Sequence, residues 1–401
     1  MQICDTKACT GCGACEQSCP KHAISMQANA GGFLVPVIEE SLCVECLLCQ
    51  KNCHVNKERE TEAPTPISYA ACVKDRKERL AGSSGAIVTA LARTVFDKGG
   101  AVVGAVFDEN QHLYEDIAYS YEEYVSRGFA RSKYVQSRTG DCFLRIKERL
   151  QASSAPLLFV GTPCLVSALK SFLRRDYEQL FTVDFVCHGV PSPGVFDRYC
   201  RHLEKKYRAR IKKVEFRMKK PSWAISSTVY AFENGKKYKG NMLEDAYNVC
   251  FAQHNNSIRE SCFDCHYATK ARTSDITLCD YWGHREVTLT DDDDRYGVSA
   301  VMPNTEKGKR LFDGIADLIY CKEITYDSVT AGNERLYNPH LKAQNRKGFF
   351  DAFEGGADFD ELAPYCRSYF EGKSWKSRFM ARHNYAWPFR LMRRAKKLIK
   401  K

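Results

Sequence analysis

The chain has 401 residues, 20 cysteines, 60 Lys or Arg against 49 Asp or Glu, and a formal net charge of +11. That length exceeds what a lone ferredoxin needs and suggests two to three domains, one able to bury a large core, while the cysteines are too sparse for a disulfide scaffold. Residues 366–401 hold twelve Lys or Arg against one acid, Glu371, so the excess charge is a tail on a balanced body, which excludes a broad nucleic-acid-binding face.

The first predicted element is a pair of cysteine runs. Cys9, Cys12, Cys15 and Cys19, followed by Pro20, are answered by Cys43, Cys46, Cys49 and Cys53. The C-x2-C-x2-C-x3-C spacing lets three thiolates on one loop hold three irons of a cubane, while the fourth reaches the other cluster. Cys9, Cys12, Cys15 and Cys53 then hold one [4Fe-4S] cluster, and Cys43, Cys46, Cys49 and Cys19 the second. A zinc site needs only four such ligands. Disulfides want an oxidising compartment, and Met1-Gln-Ile-Cys-Asp has neither the basic start nor the apolar core of a secretion signal. The expectation is therefore a cytoplasmic protein. The second run has His54 where the first has Pro20. Each run should open a short helix, with a hairpin through residues 30–36 between them, giving a ferredoxin-type domain over 1–57 and a charged, proline-bearing linker over 58–66.

Beyond the linker, residues 67–73 alternate as a strand. Gly82-Ser83-Ser84-Gly85 precedes a helical period over 86–96, Gly99-Gly100 stops it, and 101–107 reads as an apolar strand. A strand from Leu157 runs into Gly161-Thr162-Pro163-Cys164 and a helix to Leu173, and the theme repeats from Phe181 to Cys187. These alternations predict an α/β layer. Residues 211–218, 227–233 and 236–239 read as an antiparallel meander, and Asp291 to Asp294 as a solvated loop. The longest uncharged apolar stretch, 151–169, is broken by Gly161, Thr162 and Pro163, which excludes a membrane-spanning helix there. In the tail, Trp387, Leu391, Ala395, Leu398 and Ile399 share one helical face opposite basic residues, so residues 386–401 have the pattern of a peripheral membrane anchor as well as that of a docked amphipathic helix.

The loop at 82–85 offers free backbone N–H groups and two hydroxyls at a helix start, which suit a phosphate or a flavin edge and equally an ordinary serine N-cap. The loop at 161–164 follows a strand at its C-terminal end, where open α/β sheets place ligands. Cys164, Cys187, Cys262 and Cys265 each lie beside a turn, and Cys262-x2-Cys265 suits a metal or cluster edge, with zinc and a redox dithiol as rivals.

In order along the chain, Gly-Ser-Ser-Gly at 82–85, Ser-Lys-Tyr-Val-Gln-Ser at 132–137, Gly-Thr-Pro-Cys at 161–164, Cys-His-Gly-Val-Pro-Ser at 187–192 and Ser-Cys-Phe-Asp-Cys-His at 261–266 resemble the coenzyme F420 hydrogenase/dehydrogenase beta-subunit family. The likeness covers about residues 1–330. It implies an iron–sulfur flavoprotein oxidoreductase, with FAD near Gly82, Ser83, Ser84, Gly85, Lys133, Tyr134, Gln136, Ser137, Thr162 and Pro163. It also implies a third [4Fe-4S] cluster near Cys164, Cys187, Cys262 and Cys265. Asp280-Tyr281-Trp282-Gly283, preceded by Cys279, and Ala86 after the first loop depart from the family pattern. His188 and His266, each beside a cysteine, are candidates for proton handling, and each could instead orient its loop through a ring N–H bond.

The fold expected is thus a mixture of α+β and α/β: a small bacterial-type ferredoxin domain, a larger flavin-binding mixed α/β domain over 67–330, and a helical, basic C-terminal tail over 331–401. A flavin takes two electrons at once and clusters carry one, which is a physical reason to join them. The redox partner expected is a ferredoxin, a deazaflavin or nicotinamide coenzyme, or another subunit, with no nucleic acid. The rival functional readings are an electron-delivery subunit without a substrate of its own and a cluster-stabilised interaction protein.

Overall fold

The structure, a computed structural model, describes residues 1–58 and 62–366; the amphipathic stretch 386–401 lies outside the described residues. Thirteen strands are described: β1 (Ile24–Ala28), β2 (Leu34–Ile38), β3 (Ser68–Val73), β4 (Ala101–Phe107), β5 (Leu113–Ala118), β6 (Leu157–Val160), β7 (Leu180–Phe185), β8 (Ile211–Met218), β9 (Ser227–Phe232), β10 (Lys237–Asn241), β11 (Ile276–Asp280), β12 (Ser299–Pro303) and β13 (Ile319–Ile324). Eight of them form one mixed sheet in the order β13-β3-β12-β11-β7-β6-β4-β5. Its centre, β4-β6-β7-β11, is parallel, and the outer pairings are antiparallel.

A parallel core must be covered on both faces, so its strands read as continuous apolar runs. In β4, Val102 and Val106 turn to the face covered by the helix Ile87–Asp97, where Ile87, Leu91 and Val95 are buried. Ala101 and Val103 turn to the opposite face, covered by the helices Cys142–Ala152 and Pro163–Leu173. This is the two-residue period of a strand feeding two cores.

The second sheet, β10-β9-β8, is the antiparallel meander expected for 211–239. It packs with the helix Pro193–Tyr207 around Phe196, Tyr199, Phe216 and Tyr230, and the helices Arg346–Glu354 and Phe359–Leu362 add Phe349, Phe353, Phe359 and Leu362. Burying side chains of this size contributes roughly 1.5–3 kcal/mol each, so the segment expected to be a tail from 331 is packed into the body as far as Cys366.

The front of the chain, a ferredoxin-like region, has β1 and β2 as its hairpin and one short helix after each run, Ala14–Ser18 and Leu48–Lys51. Gly11 and Gly13 have φ of 67° and 72°, and a Cβ would strike Gln136 and Arg259 from Gly11, and Thr139 from Gly13. The cysteine loop can lie this close to the body only because these residues lack side chains. One expectation is corrected: the acids 291–294 are not simply solvated. Asp293 is 3% exposed and pairs with buried Arg79 at 2.8 Å, while also accepting from the Leu289 and Thr290 amides. Among the described residues no helix is long and apolar enough to cross a membrane.

Candidate functional site

The C-terminal ends of the parallel strands meet at a central cavity of about 220 Å³. β6 delivers Thr162 and Cys164, β7 delivers Cys187 and His188, and β11 delivers Cys279 and Asp280; Ser83, Ser84 and the segment Ser132–Ser137 close the top. Of the residues expected around a flavin, Ser83, Ser84, Lys133, Tyr134, Gln136, Ser137 and Thr162 line this cavity; Gly82, Gly85 and Pro163 do not. Gly85 is packed so closely on Ala71 and Ser299 that a Cβ would not fit. Its N–H already donates to Ser299 Oγ at 2.9 Å, and Ser84 Oγ donates to Val298 O at 2.8 Å. These two bonds tie the loop to Val298 and to Ser299 at the start of β12, while Ser83 and Ser84 still line the cavity.

Three smaller chambers hold the cysteine sets. An inner chamber is lined by Cys9, Cys12, Cys15 and Cys53, together with Cys4. An outer chamber is lined by Cys19, Cys43, Cys46 and Cys49. A rear chamber of about 40 Å³ is lined by Cys164, Cys187, Cys262 and Cys265, with Pro163 and His340 beside them. The two front sets are those of the crossed scheme. Among the described residues no three His, Cys, Asp or Glu gather tightly enough for one metal ion.

The walls are shared. Thr10, Gly11 and Cys12 line both the inner chamber and the central cavity. Cys164, Cys187, Gly189 and Val190 line both the rear chamber and the central cavity. The rear set is assembled by a ladder between loops, in which Pro191 bridges Ile258 and Arg259 N–H donates to Val190 O at 2.9 Å. Burial pushes the Cys164 thiol up to about 11 and Cys262 to about 12, and raises Cys187 well above the ordinary thiol range, with the neighbouring thiols adding to the rise. In the inner chamber burial pushes Cys12 to about 12. A metal bound by these thiols would have to displace their protons.

Arg259 sits between the inner and rear chambers. It is 4% exposed and donates to Cys9 O at 3.1 Å, to Leu34 O, and to Gln136 Oε1 at 2.9 Å. Burial pulls it below its ordinary value, while the charges of Cys9, Cys262, Cys164 and Cys12 act to restore it. Gln136 completes the joint, donating to Gly11 O at 3.1 Å and accepting from Leu34 N–H at 3.1 Å. His54, in the position of the missing proline, is buried between Thr10 Oγ1 at 2.9 Å and Tyr267 OH at 2.6 Å. Of the two histidine candidates, His188 lines the central cavity, its pKa lowered by burial, and His266 lines neither the cavity nor a chamber.

A second cavity of about 110 Å³ continues from the first past Lys133, Ser137 and Thr162 to Glu115. Ser137 Oγ donates to Glu115 Oε1 at 2.6 Å, and Glu115 Oε2 is buried with no hydrogen-bond partner. Burial raises Glu115 to about 7 and lowers Lys133 to about 7. Lys133 Nζ donates to Gly128 O at 2.6 Å. On the far wall Arg217 grips both oxygens of Asp280, at 2.9 and 3.0 Å, and reaches Tyr134 OH at 3.4 Å. Burial opposes the Asp280 charge, but Arg217 outweighs it and holds the carboxyl below its ordinary value.

Cys4, Glu115, Arg217 and Arg259 were not among the sequence candidates. Glu115 alone left a signal: in β5 it shares a buried face with Leu113 and Ile117, where alternation calls for an apolar residue.

Residues 155–328 match the C terminus of the coenzyme F420 hydrogenase/dehydrogenase beta subunit, and residues 8–57 match a 4Fe-4S dicluster domain. An uncharacterized protein of Methanocaldococcus jannaschii is 25% identical over 209 residues, which are 45% of this chain and 56% of the relative, so the chain spans little more than half of that relative's length. A solved structure of the F420-reducing [NiFe] hydrogenase complex from Methanosarcina barkeri aligns with 70% of this chain and 91% of its own, at 17% identity and a TM-score of 0.46. The chain thus joins a 4Fe-4S dicluster domain at residues 8–57 to a segment, residues 155–328, that is similar to the C terminus of the coenzyme F420 hydrogenase/dehydrogenase beta subunit.

Proposed function

We propose that this chain is an FAD-dependent oxidoreductase that passes electrons between [4Fe-4S] clusters and a flavin in the central cavity, which reduces or oxidises an organic substrate or coenzyme. The observation that carries the reading is the shared walls: the central cavity abuts the inner chamber through Thr10, Gly11 and Cys12 and the rear chamber through Cys164 and Cys187. The inner chamber is lined by five cysteines and the outer and rear chambers by four each, and the chemistry of soft thiolate donors fits iron–sulfur clusters. A bound flavin would accept electrons in a pair and release them singly.

The chain's own residues have definite tasks in this reading. Arg259 offsets the thiolate charge of two chambers from between them. Gln136 fixes the cysteine loop against the cavity. Lys133, depressed by burial, would be held charged by an anionic group such as a flavin phosphate or ring. Glu115 and Ser137 hold a proton at the carboxyl Oε1/Oε2 pair, one hydroxyl away from the cavity. His188 is kept neutral by burial and can donate or accept at one ring nitrogen.

The outer chamber supports a second reading, an electron-delivery subunit with no substrate of its own. Cys46 is exposed there, and Leu42, Val44 and Leu47 around it are 51%, 59% and 41% exposed, a surface that suits a docked redox protein or another subunit. Both readings place the protein in a reducing, cytoplasmic compartment. Anaerobic purification with iron, sulfide and flavin assays tests them: about eight irons per chain correspond to two clusters, about twelve to three. A protein that is colourless and flavin-free after anaerobic reconstitution refutes both. Dye reduction without turnover of nicotinamide, deazaflavin or any other small molecule selects the second.

A further inference from the structure

We infer that Cys4 is a fifth thiol of the inner chamber, placed to take over an iron of the inner cluster from Cys9 or Cys53. The inference rests on the reading that the inner chamber holds a [4Fe-4S] cluster. A cubane has four irons, each with one protein thiolate, and Cys9, Cys12, Cys15 and Cys53 already supply four. Cys4 lines the same chamber as those four thiols, and the two whose charges its own thiol feels there are Cys53 and Cys9. No such influence joins it to Cys12 or Cys15.

Its position is fixed rather than incidental. Ile3 is buried in the same small core as Cys15, Cys49 and Cys53. Asn56 Nδ2 donates to Ile3 O at 2.9 Å, Gln50 Nε2 to Gln2 O at 2.7 Å, and Gln2 Nε2 to Cys4 O at 2.9 Å. The backbone then turns directly into the first run, where Cys9 N–H donates to Asp5 O at 3.0 Å. Cys53 arrives from the far end of the second run, so the two ligands that act on Cys4 come one from each run.

In the exchange, the Cys4 thiol gives up its proton and forms an Fe–S bond; the Fe–S bond to Cys9 or Cys53 breaks, and that sulfur takes up the proton. The iron keeps its oxidation state and its four sulfur neighbours. No oxidant or reductant is involved.

The test uses the full chain purified anaerobically, with iron and sulfide assays, and low-temperature EPR of the reduced and the air-oxidised protein. Cys9→Ala and Cys53→Ala should keep the wild-type iron content and a reduced four-iron signal with altered g values. Cys4→Ala/Cys9→Ala and Cys4→Ala/Cys53→Ala should lose iron and show a three-iron signal on oxidation. Cys12→Ala, out of reach of Cys4, should lose iron whether or not Cys4 is present, which controls for nonspecific rescue. Cys4→Ala alone should retain full iron. The inference is overturned if Cys9→Ala and Cys53→Ala lose as much iron as their doubles, or if Cys4→Ala alone is iron-depleted. Wild-type protein with no inner-cluster iron would instead refute the cluster reading itself.

Discussion

Arg259→Ala removes the guanidinium that joins the ferredoxin-like front to the body. Its donors serve Cys9 O, Leu34 O and Gln136 Oε1. Gln136 Oε1 keeps a second partner in Leu34 N–H, so the loss falls mainly on two backbone carbonyls, each costing about 1–3 kcal/mol when buried and unsatisfied. The sum is about 2–6 kcal/mol, and the lower half is expected because the variant no longer buries a cation. Two signals are followed: cluster absorbance, to which the front contributes the two clusters held by Cys9 to Cys53, and the emission of the described tryptophans, Trp223 and Trp282, which lie in the body. In anaerobic urea titrations the bleaching midpoint should fall by about 1 M, taking about 2–3 kcal/mol per M, while the tryptophan midpoint moves much less. Arg259→Lys, which keeps the charge without the planar fork, should fall between. Bleaching of Arg259→Ala that superimposes on the wild type would refute the bridging role.

Glu115→Gln should raise stability in a pH-dependent way. Burial lifts the Glu115 pKa from an ordinary 4.5 to about 7, so between those values the unfolded chain has released its proton and the folded chain has not. Stability therefore falls as pH rises through that window, by at most about 3 kcal/mol, less what Lys133 loses with its partner. Melting temperatures of the two proteins should diverge at pH 8 and converge towards pH 5; an equal gap at both refutes the reasoning. Asp293→Ala strands the buried Arg79 and should cost about 3–5 kcal/mol in thermal unfolding, whereas an Asp291→Ala control changes little. Anaerobic iron chelation should unfold the front alone, because half of its buried core is the ligand cysteines Cys15, Cys49 and Cys53, beside Ile3, Ile24 and Met26. Hydrogen exchange should then lose protection over 24–38 and keep it in β4, β6 and β7; retained protection at 24–38 would count against metal-dependent folding.

Local chemistry was legible and long-range placement was not. The strand at 101–107 could be bounded from its sequence because Gly99-Gly100 and an apolar run define it without help from the rest of the fold. The cysteine partition followed from spacing within about fifty residues. The sheet order, which inserts β12 and β11 between β3 and β7, depends on β3–β12 pairings 228 to 232 residues apart and has no local signature. Arg259 is unremarkable in sequence, and its partners lie 123 to 250 positions away. Asp293 misled for the opposite reason: a run of four acids looks uniform, yet only the fold decides which one turns inward to Arg79. The loop at 82–85 reads in sequence both as a ligand cradle and as a serine N-cap; in the fold Gly85 N–H and Ser84 Oγ bond to Ser299 and Val298 while Ser83 and Ser84 line the cavity.

The sharing of Thr10, Gly11 and Cys12 between two compartments bears on how this protein can be cut or recombined. The ferredoxin-like front is no detachable cassette: a version starting after residue 66 would lose both front cysteine sets and, with them, one wall of the central cavity, leaving that cavity open to water. Conversely, a foreign ferredoxin fused at the same point would restore electrons without restoring the wall. Swaps between relatives should succeed only when the first cysteine loop travels together with Gln136, Thr139 and Arg259, the residues against which it is moulded.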